Sequence, residues 1–580
     1  MLPPSDYGKE SGQMLREYLQ KVVIAHKNET KAQLLKVFNG HGYNSDCLTV
    51  WQDQQYEMKE QFPLAFKSSI GNRFYNFRQS PFMRDNIYEL LERDAADIFI
   101  FHEHGDFDTQ YINGEFPAGN ILSLKLNENP NTIYSKDNQN FGPMEALIVS
   151  LRNSYRKYSG KRREDFKEIV IKEFGFNESV FNQKTLDSLK YSDSLFAASI
   201  NIKLPDLKSL KPQAKFVMFD ACYNGSFHRQ GYVAGYYIFG NGSTITTQGN
   251  TVNVLQDKWS TELIGMIGAG ARIGFWQKEI QPLESHLVGD PTLRFTNSEG
   301  LSNRNSLQSK LNYNLAVNSK NQKVWEEYLK TDNPILQAVA IKKLSALNLP
   351  EFSTRLLEIF KNSKFNSVRM EALKRLFDYS DENMVIAISL GIEDSFELIR
   401  RNSARFAGYS GDPRLIKPLV KTMLFSGESQ RVQYAAQNSV LMFNISDVIK
   451  ELSVQISASN LINGAQIESD IKKFLLSEQK RQDKALATIL NKEAKLEDRI
   501  SAIRNLRNYN NHKQVDQLLG VLANKSDDLK TRITLAEALG WFNLSINKEK
   551  IIASMESIAR DSSENEFLKK EIIQSLLRLK

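Results

Sequence analysis

Two short segments carry the residue types needed for nucleophilic chemistry. The first reads Asp97-Ile98-Phe99-Ile100-Phe101-His102-Glu103-His104-Gly105-Asp106, an apolar run that ends in two histidines and a glycine. The second reads Lys215-Phe216-Val217-Met218-Phe219-Asp220-Ala221-Cys222-Tyr223-Asn224-Gly225, an apolar run that ends in a cysteine on a turn. A four-residue apolar run bounded by polar residues reads as a buried strand. In an open parallel sheet, ligands sit beyond the carboxyl ends of the strands. His104 and Cys222 would both emerge at that edge. A thiol beside an imidazole is the basic arrangement of cysteine nucleophilic catalysis, in which the thiolate attacks and the ring moves the proton.

The surrounding elements must bring these two strand ends together. Val22–Ala25, Cys47–Val50, Ile98–Phe101 and Phe216–Phe219 are the apolar runs that read as strands. Thr30–Phe38 and Arg84–Asp94 read as helices between them. Alternation of this kind predicts a mostly parallel sheet covered on both faces. Residues 136–210 look like an insertion with a basic helical segment around Tyr155–Lys167. The basic run Arg156–Arg163 reads as a solvated helix end. His41-Gly42 reads as a helix C-terminal turn, where glycine is favoured.

On these residues the chain resembles gingipain-type cysteine peptidases, of the wider caspase-like group. The strand-His-Gly and strand-Asp-Ala-Cys-x-Asn-Gly segments are similar to the family's catalytic motifs. His286-Leu287-Val288-Gly289-Asp290-Pro291-Thr292-Leu293 resembles the stretch that closes the family's catalytic domain, and Gly242-Ser243-Thr244-Ile245-Thr246-Thr247 fits the strand after the cysteine. The resemblance covers roughly residues 1–297. It implies an α/β fold of the caspase/gingipain type, a three-layer sandwich with a mostly parallel sheet. It implies cysteine endopeptidase activity with Cys222 as nucleophile, His104 as general acid/base, and the backbone N–H groups of Gly105 and Cys222 as oxyanion hole. His102, Asp220 and Asn224 are the supporting groups. This reading needs no metal and no cofactor, and its substrate is a protein or peptide.

The chain also departs from the family. His104 and Cys222 are 222 − 104 = 118 residues apart, longer than in the secreted members, and the 136–210 insertion accounts for the excess. The sequence begins after the point where the family's smaller first subdomain would end. Around His26–Lys31 only Glu29 is acidic, so cleavage after Arg or Lys does not transfer. These departures support an alternative, a catalytically inactive scaffold. A further alternative is a metallohydrolase built on His102-x-His104-x-Asp106, where alternate residues of an extended segment would share one metal. That match stops at Phe107, where such enzymes carry a further histidine, and His228 and His286 fall at no recognisable spacing.

Beyond a polar stretch from Asn297 to Gln322 the pattern becomes helical and periodic. A small residue follows an Arg or Gln by three places in Gln337…Ala340, Arg369…Ala372, Arg400…Ser403, Gln433…Ala436 and Arg499…Ala502. The small residues lie 32, 31, 33 and 66 apart, and Gln466…Ser469 falls at the middle of the double gap. A shifted unit carries Ala536. A period of this length predicts stacked helix pairs, an α-solenoid. Val368–Leu376 and Asp498–Leu506 resemble HEAT repeats. The expected organisation is a peptidase-like domain over 1–297, a linker over 298–330 and a HEAT-like solenoid over 331–580 that docks a protein partner.

Composition sets the outer limits. The 580 residues are 41% hydrophobic and 25% charged, ordinary for a globular chain. The net charge of 75 − 68 = +7 is too dilute to argue for a nucleic-acid partner. Two cysteines exclude a disulfide framework, and Cys47 reads as core packing. No apolar run reaches the roughly 18 residues of a membrane span. The first ten residues show no signal peptide, whereas the resemblance implies a secreted or periplasmic protein.

Overall fold

The computed structural model describes residues 3–28, 31–40, 47–80, 83–92, 96–112, 144–254, 258–280, 283–296 and 306–580. Glu29, His41-Gly42 and residues 136–143 of the insertion lie outside them. The chain divides into two compact units, Met1–Lys343 and Leu344–Lys580.

The first unit is mixed α/β. Its main sheet contains β1 (Leu35–Asn39), β2 (Asn72–Asn76), β3 (Ile98–His102), β7 (Phe216–Asp220), β8 (Thr246–Asn250) and β9 (Ser285–Gly289), ordered β2-β1-β3-β7-β8-β9. All neighbours are parallel except β8 and β9. A second small sheet joins β4 (His104–Asp106), β5 (Thr109–Tyr111) and β6 (Ile202–Lys203). Side chains alternate between the faces of β3 and β7. Phe99, Phe101, Val217 and Phe219 enter a core with Met14, Ile87 and Tyr237. Phe101 stacks on Phe99 at 4.2 Å and on Phe219 at 5.6 Å. On the opposite face Phe216 meets Trp276 edge-on at 5.8 Å. Strands buried on both faces read as continuous apolar runs, which is why β3 and β7 are visible in the sequence.

The runs nearer the N-terminus behave differently. Val22–Ala25 is not a strand but the end of a helix, Ser11–Lys27, that buries Met14 and Tyr18 and leaves Val23 and Ile24 exposed. Cys47–Val50 is the start of the helix Leu48–Gln61, with Cys47 buried at its N-cap position. Of the helix expected over Thr30–Phe38, Leu35–Phe38 instead lie in strand β1, and Thr30 lies outside the described residues. Lys36 broke the apolar pattern there, yet it is buried, and its Nζ donates to the Leu90 carbonyl at 3.1 Å. A short apolar run has no periodicity long enough to separate strand from helix, so packing decides.

Between β5 and β6 the described part of the insertion forms helices, among them Met144–Lys157, Gly160–Phe174 and Lys190–Ser199. The first two share a core of their own around Leu151, Tyr155 and Phe166, with Phe181 of the short helix Glu178–Phe181. The basic run is partly engaged there: Arg156 bonds Asp193 at 2.7 Å, and Arg163 lies over the Tyr155 ring. Residues 306–343, partly within the segment expected to be a linker, form helices that belong to the first unit, and Trp325 and Tyr328 are buried among them.

The second unit is an all-α, repeat-like array running from the helix Phe352–Asn362 to Glu566–Leu579. The small residues of the repeat pattern serve close helix packing: Ala372, Ser403, Ala436 and Ala536 are fully buried, and Ala502 is half-buried. Ser469 is exposed on one long helix, Gly464–Leu490, so that position marks no helix pair. The structure also explains the Arg or Gln that precedes the small residue, by three places in Gln433…Ala436 and Arg499…Ala502 and by four in Arg532…Ala536. Gln433, Arg499 and Arg532 each donate to a carbonyl ten residues back, that of Met423, Ile489 and Leu522. The side chain thereby satisfies an orphan carbonyl at the end of the preceding helix. Two of the arginines also reach forward, Arg499 to Asp527 at 2.8 and 3.1 Å and Arg532 to Glu564 at 2.9 Å.

Candidate functional site

The strands carrying the two motifs are direct neighbours. In the β3–β7 register His102 faces Asp220. That pairing is an offset of 220 − 102 = 118, the same as the offset between His104 and Cys222. Both residues therefore leave the same edge of the sheet at the same step, two residues past the paired strand ends. His104 opens β4, which turns away to pair with β5, His104 opposite Tyr111.

The two loops beyond the strands interlock. Asn224 is buried, and its Nδ2 donates to the carbonyls of Asp106 at 2.5 Å and Thr109 at 3.1 Å. Gly105 rests on the cysteine turn so closely that a Cβ would lie 2.7 Å from the Cys222 carbonyl oxygen and from Asn224 Oδ1. On the other side Gly225 meets Gly249 of β8 in the same manner. Tyr223, directly after the cysteine, has φ 57°. A left-handed conformation costs a non-glycine residue roughly 1–2 kcal/mol, and it persists only where surrounding contacts hold it. Gly105→Ala is expected to destabilise the chain by about 1–3 kcal/mol. Thermal melting checks this, and an unchanged midpoint would mean that the two loops do not press on each other.

Cys222 is half-buried, and its sulfur is engaged by the backbone of Val254. The Val254 N–H donates to Sγ at 3.3 Å, and the thiol points at the Val254 carbonyl at 3.9 Å. Burial pushes the thiol above its ordinary value; the Val254 N–H works against this, and the carboxylates of Asp220 and Asp106 add to it. The segment around Val254 follows β8 and is tied to the cysteine turn by Tyr223 N–H donating to the Val252 carbonyl and Gly225 N–H to that of Asn250. Asn250 in turn donates from Nδ2 to the carbonyls of Phe219 and Ala221, at 3.2 and 2.9 Å.

Beneath the two candidate residues lies a buried polar layer. His102 Nδ1 and Asp220 Oδ2 are 2.9 Å apart, and both side chains are buried. Glu103 points elsewhere. Gln110 Nε2 donates to its Oε1 at 2.8 Å, and burial holds its carboxyl well above the usual range. His102 Nδ1 is thus taken up by Asp220. Among the described residues no group of three or more His, Cys, Asp or Glu side chains is placed to hold a metal ion. His286 lies 3.2 Å from Thr251 Oγ1 and edge-on to Phe227.

The Gly-Asp-Pro stretch plays a structural part. Gly289 has φ 115°, and a Cβ there would lie 2.3 Å from the Ile245 carbonyl. Asp290 receives the N–H and hydroxyl of Thr292 and sits 2.6 Å from His26 of the first helix. These contacts lie where β9 meets the start of β8, away from the Cys222 edge. His26 belongs to a helix and not to a substrate-facing strand end.

Sequence reasoning missed Val254, Asn250 and Glu57. Glu57 is fully enclosed, and its Oε1 accepts from Gln61 Nε2 at 2.7 Å, Trp259 Nε1 at 2.6 Å and Thr261 Oγ1 at 2.9 Å. No motif marks these residues, because their partners are remote in sequence. Burial pushes the Glu57 carboxyl up to about 6. A carboxyl raised in the folded state binds more protons than in the unfolded chain between about pH 4.5 and 6, so stability falls as pH rises through that window. The cost is complete above pH 6 and amounts to about 2 kcal/mol. Glu57→Gln keeps the accepting oxygen, and the expected result is loss of this component from stability curves measured by denaturation at pH 4.5 and 7. An unchanged pH dependence would contradict it.

The sequence matches no protein-family model and no curated protein. Among solved structures, human deoxyhypusine hydroxylase in complex with glycerol is 16% identical, with 41% of this chain and 98% of that one covered and a TM-score of 0.18. The Escherichia coli protein YibA is 15% identical, with 49% of this chain and 98% of its own covered and a TM-score of 0.19. Similarity at this level carries no argument about either unit.

Proposed function

We propose that the first unit is a caspase- or gingipain-like α/β domain whose Cys222–His104 edge is a cysteine endopeptidase site in a resting, thiol form. In this reading the second unit is a HEAT-like array that docks a protein substrate or partner. The observation that carries the reading is the shared offset of 118 residues, which sets both chemistry-bearing residues two positions beyond neighbouring strand ends. Once the thiol is released, its proton passes to His104 and the Cys222 thiolate attacks a peptide carbonyl, forming an acyl-enzyme as the C–N bond breaks. His104 delivers the proton to the departing amine and then draws one from the deacylating water. The N–H groups of Gly105 and Cys222 would receive the oxyanion.

A second reading is favoured by the state of the sulfur: a scaffold of the same fold that binds proteins without turnover. In the conformation described, Val254 and not an imidazole engages Cys222, and burial disfavours its thiolate. This conformation fits the scaffold better than it fits an active peptidase. Incubation of the full chain with a diverse peptide pool, followed by mass spectrometry, separates the two. New termini that appear with the parent and not with Cys222→Ala support the peptidase. Their absence, together with capture of partners that survives Cys222→Ala, supports the scaffold.

A further inference from the structure

In a stacked array each repeat contacts only its neighbours. The second unit also touches itself across long sequence intervals. The loops after the helices Asn366–Tyr379 and Glu397–Ser410 meet those after Leu496–Asn505 and Leu529–Leu539. Ser380 Oγ donates to the Asn543 carbonyl at 3.0 Å, and Ile546 N–H to the Ser410 carbonyl at 2.8 Å. His512 bridges both sides of this joint. Its Nε2 lies 2.8 Å from the carbonyl of Gly408, 104 residues away, and its Nδ1 lies 2.8 Å from Ser545 Oγ. Gly411 makes room for the ring: φ there is 66°, and a Cβ would lie 2.3 Å from His512 Cδ2. Phe542 meets the ring edge-on at 6.0 Å, and Asn547 Nδ2 donates to the His512 carbonyl at 3.2 Å. We propose that His512 is a pH-sensitive clasp: its neutral ring holds these loops together and closes the array on itself, and protonation releases them.

The partners fix where the ring carries its hydrogen. A carbonyl can only accept, so Nε2 donates to Gly408 and Nδ1 accepts from the Ser545 hydroxyl. Ser545 is buried, and its oxygen already receives the Asn547 N–H at 3.0 Å. A proton on Nδ1 turns that acceptor into a donor, so the Ser545 hydrogen must leave it, and a charge enters a joint of carbonyls, a hydroxyl and an aromatic ring. The charged groups on the segments packed there are Asp412 and Arg414, bonded to each other at 2.9 Å, with Lys513 and Lys548. Among the described residues none of them bonds the ring or supplies a countercharge to it. Burial accordingly lowers the ring from its ordinary 6.5 to about 4, with the Gly408 bond working the other way. A ring released to solvent regains its ordinary value. Between about pH 6.5 and 4 the released form binds more protons, so closure weakens as pH falls through that window. The joint is loop against loop, and such contacts open ahead of packed helices.

The clasp is independent of any turnover at Cys222, and the Ile546 amide reports it directly, because its N–H is bonded across the joint. Hydrogen–deuterium exchange of the full chain, read at that amide by fragmentation mass spectrometry and corrected for the intrinsic exchange rate, is compared at pH 7.5 and 5. In the parent the protection should fall about 30-fold at the lower pH. His512→Gln offers one donor and one acceptor as the neutral ring does and takes up no proton, so its protection should stay level. His512→Ala removes both bonds and should lose protection at both pH values, with circular dichroism confirming that the helices remain. Parent protection that is the same at the two pH values overturns the proposal, and so does an equal fall in His512→Gln. If His512→Ala does not fold, the parent and His512→Gln decide between them.

Discussion

His104→Ala is expected to lower thiol-dependent peptide hydrolysis by about 10²–10⁴-fold, the usual contribution of a positioned acid/base. Without the imidazole, the amine must leave as a poor anion or take its proton from water. The register puts this residue two positions past the strand end that neighbours that of Cys222, and the adjacent Gly105 lies against the Cys222 carbonyl. Cys222→Ala defines the floor of the assay. Residues that act as a unit are strongly non-additive, so the double variant should be no slower than Cys222→Ala alone. The measurement is the initial rate of peptide-pool hydrolysis, with circular dichroism as the control for folding. A His104→Ala rate equal to the parent's would remove the proposed mechanism. A parent rate at the Cys222→Ala floor would favour the scaffold.

Arg499→Leu should produce the largest loss of stability in the array, about 3–5 kcal/mol. The Arg499 and Asp527 side chains are each only 2% exposed and are joined by two bonds. Arg499 also donates from Nε and Nη2 to the Ile489 carbonyl, at 3.0 and 2.7 Å. Leucine leaves a buried carboxylate without its countercharge and a buried carbonyl without its donors, and both penalties fall on the folded state. The double variant Arg499→Leu/Asp527→Leu should recover much of the loss, because it removes the stranded charge. Urea denaturation followed by circular dichroism reads both. A single variant within about 1 kcal/mol of the parent would mean that the pair lies in a wetter setting than its burial indicates.

Legibility in the sequence followed burial on both faces and local repetition. Strands β3 and β7 are continuous apolar runs because both of their faces meet packed side chains. The repeat period was readable because Ala372, Ser403 and Ala436 meet the same packing demand at each turn of the pattern. Strand β1 was misread because the buried Lys36 finds its partner, the Leu90 carbonyl, 54 residues away. Val22–Ala25 was misread because a helix end and a strand differ little over four apolar residues. Ser469 kept the spacing without the burial, since the long helix Gly464–Leu490 has no turn to create a pair.

For the candidate site the division is sharper. The sequence by itself determined which residue types could do chemistry, and that a histidine and a cysteine each end a buried strand. Only the tertiary structure decided that those strands are neighbours, that their register equals the motif separation, and that Val254 engages the sulfur. Sheet order and loop contacts are made between residues more than a hundred positions apart or on unrelated loops. They are selected by packing of the whole unit, and no local pattern encodes them.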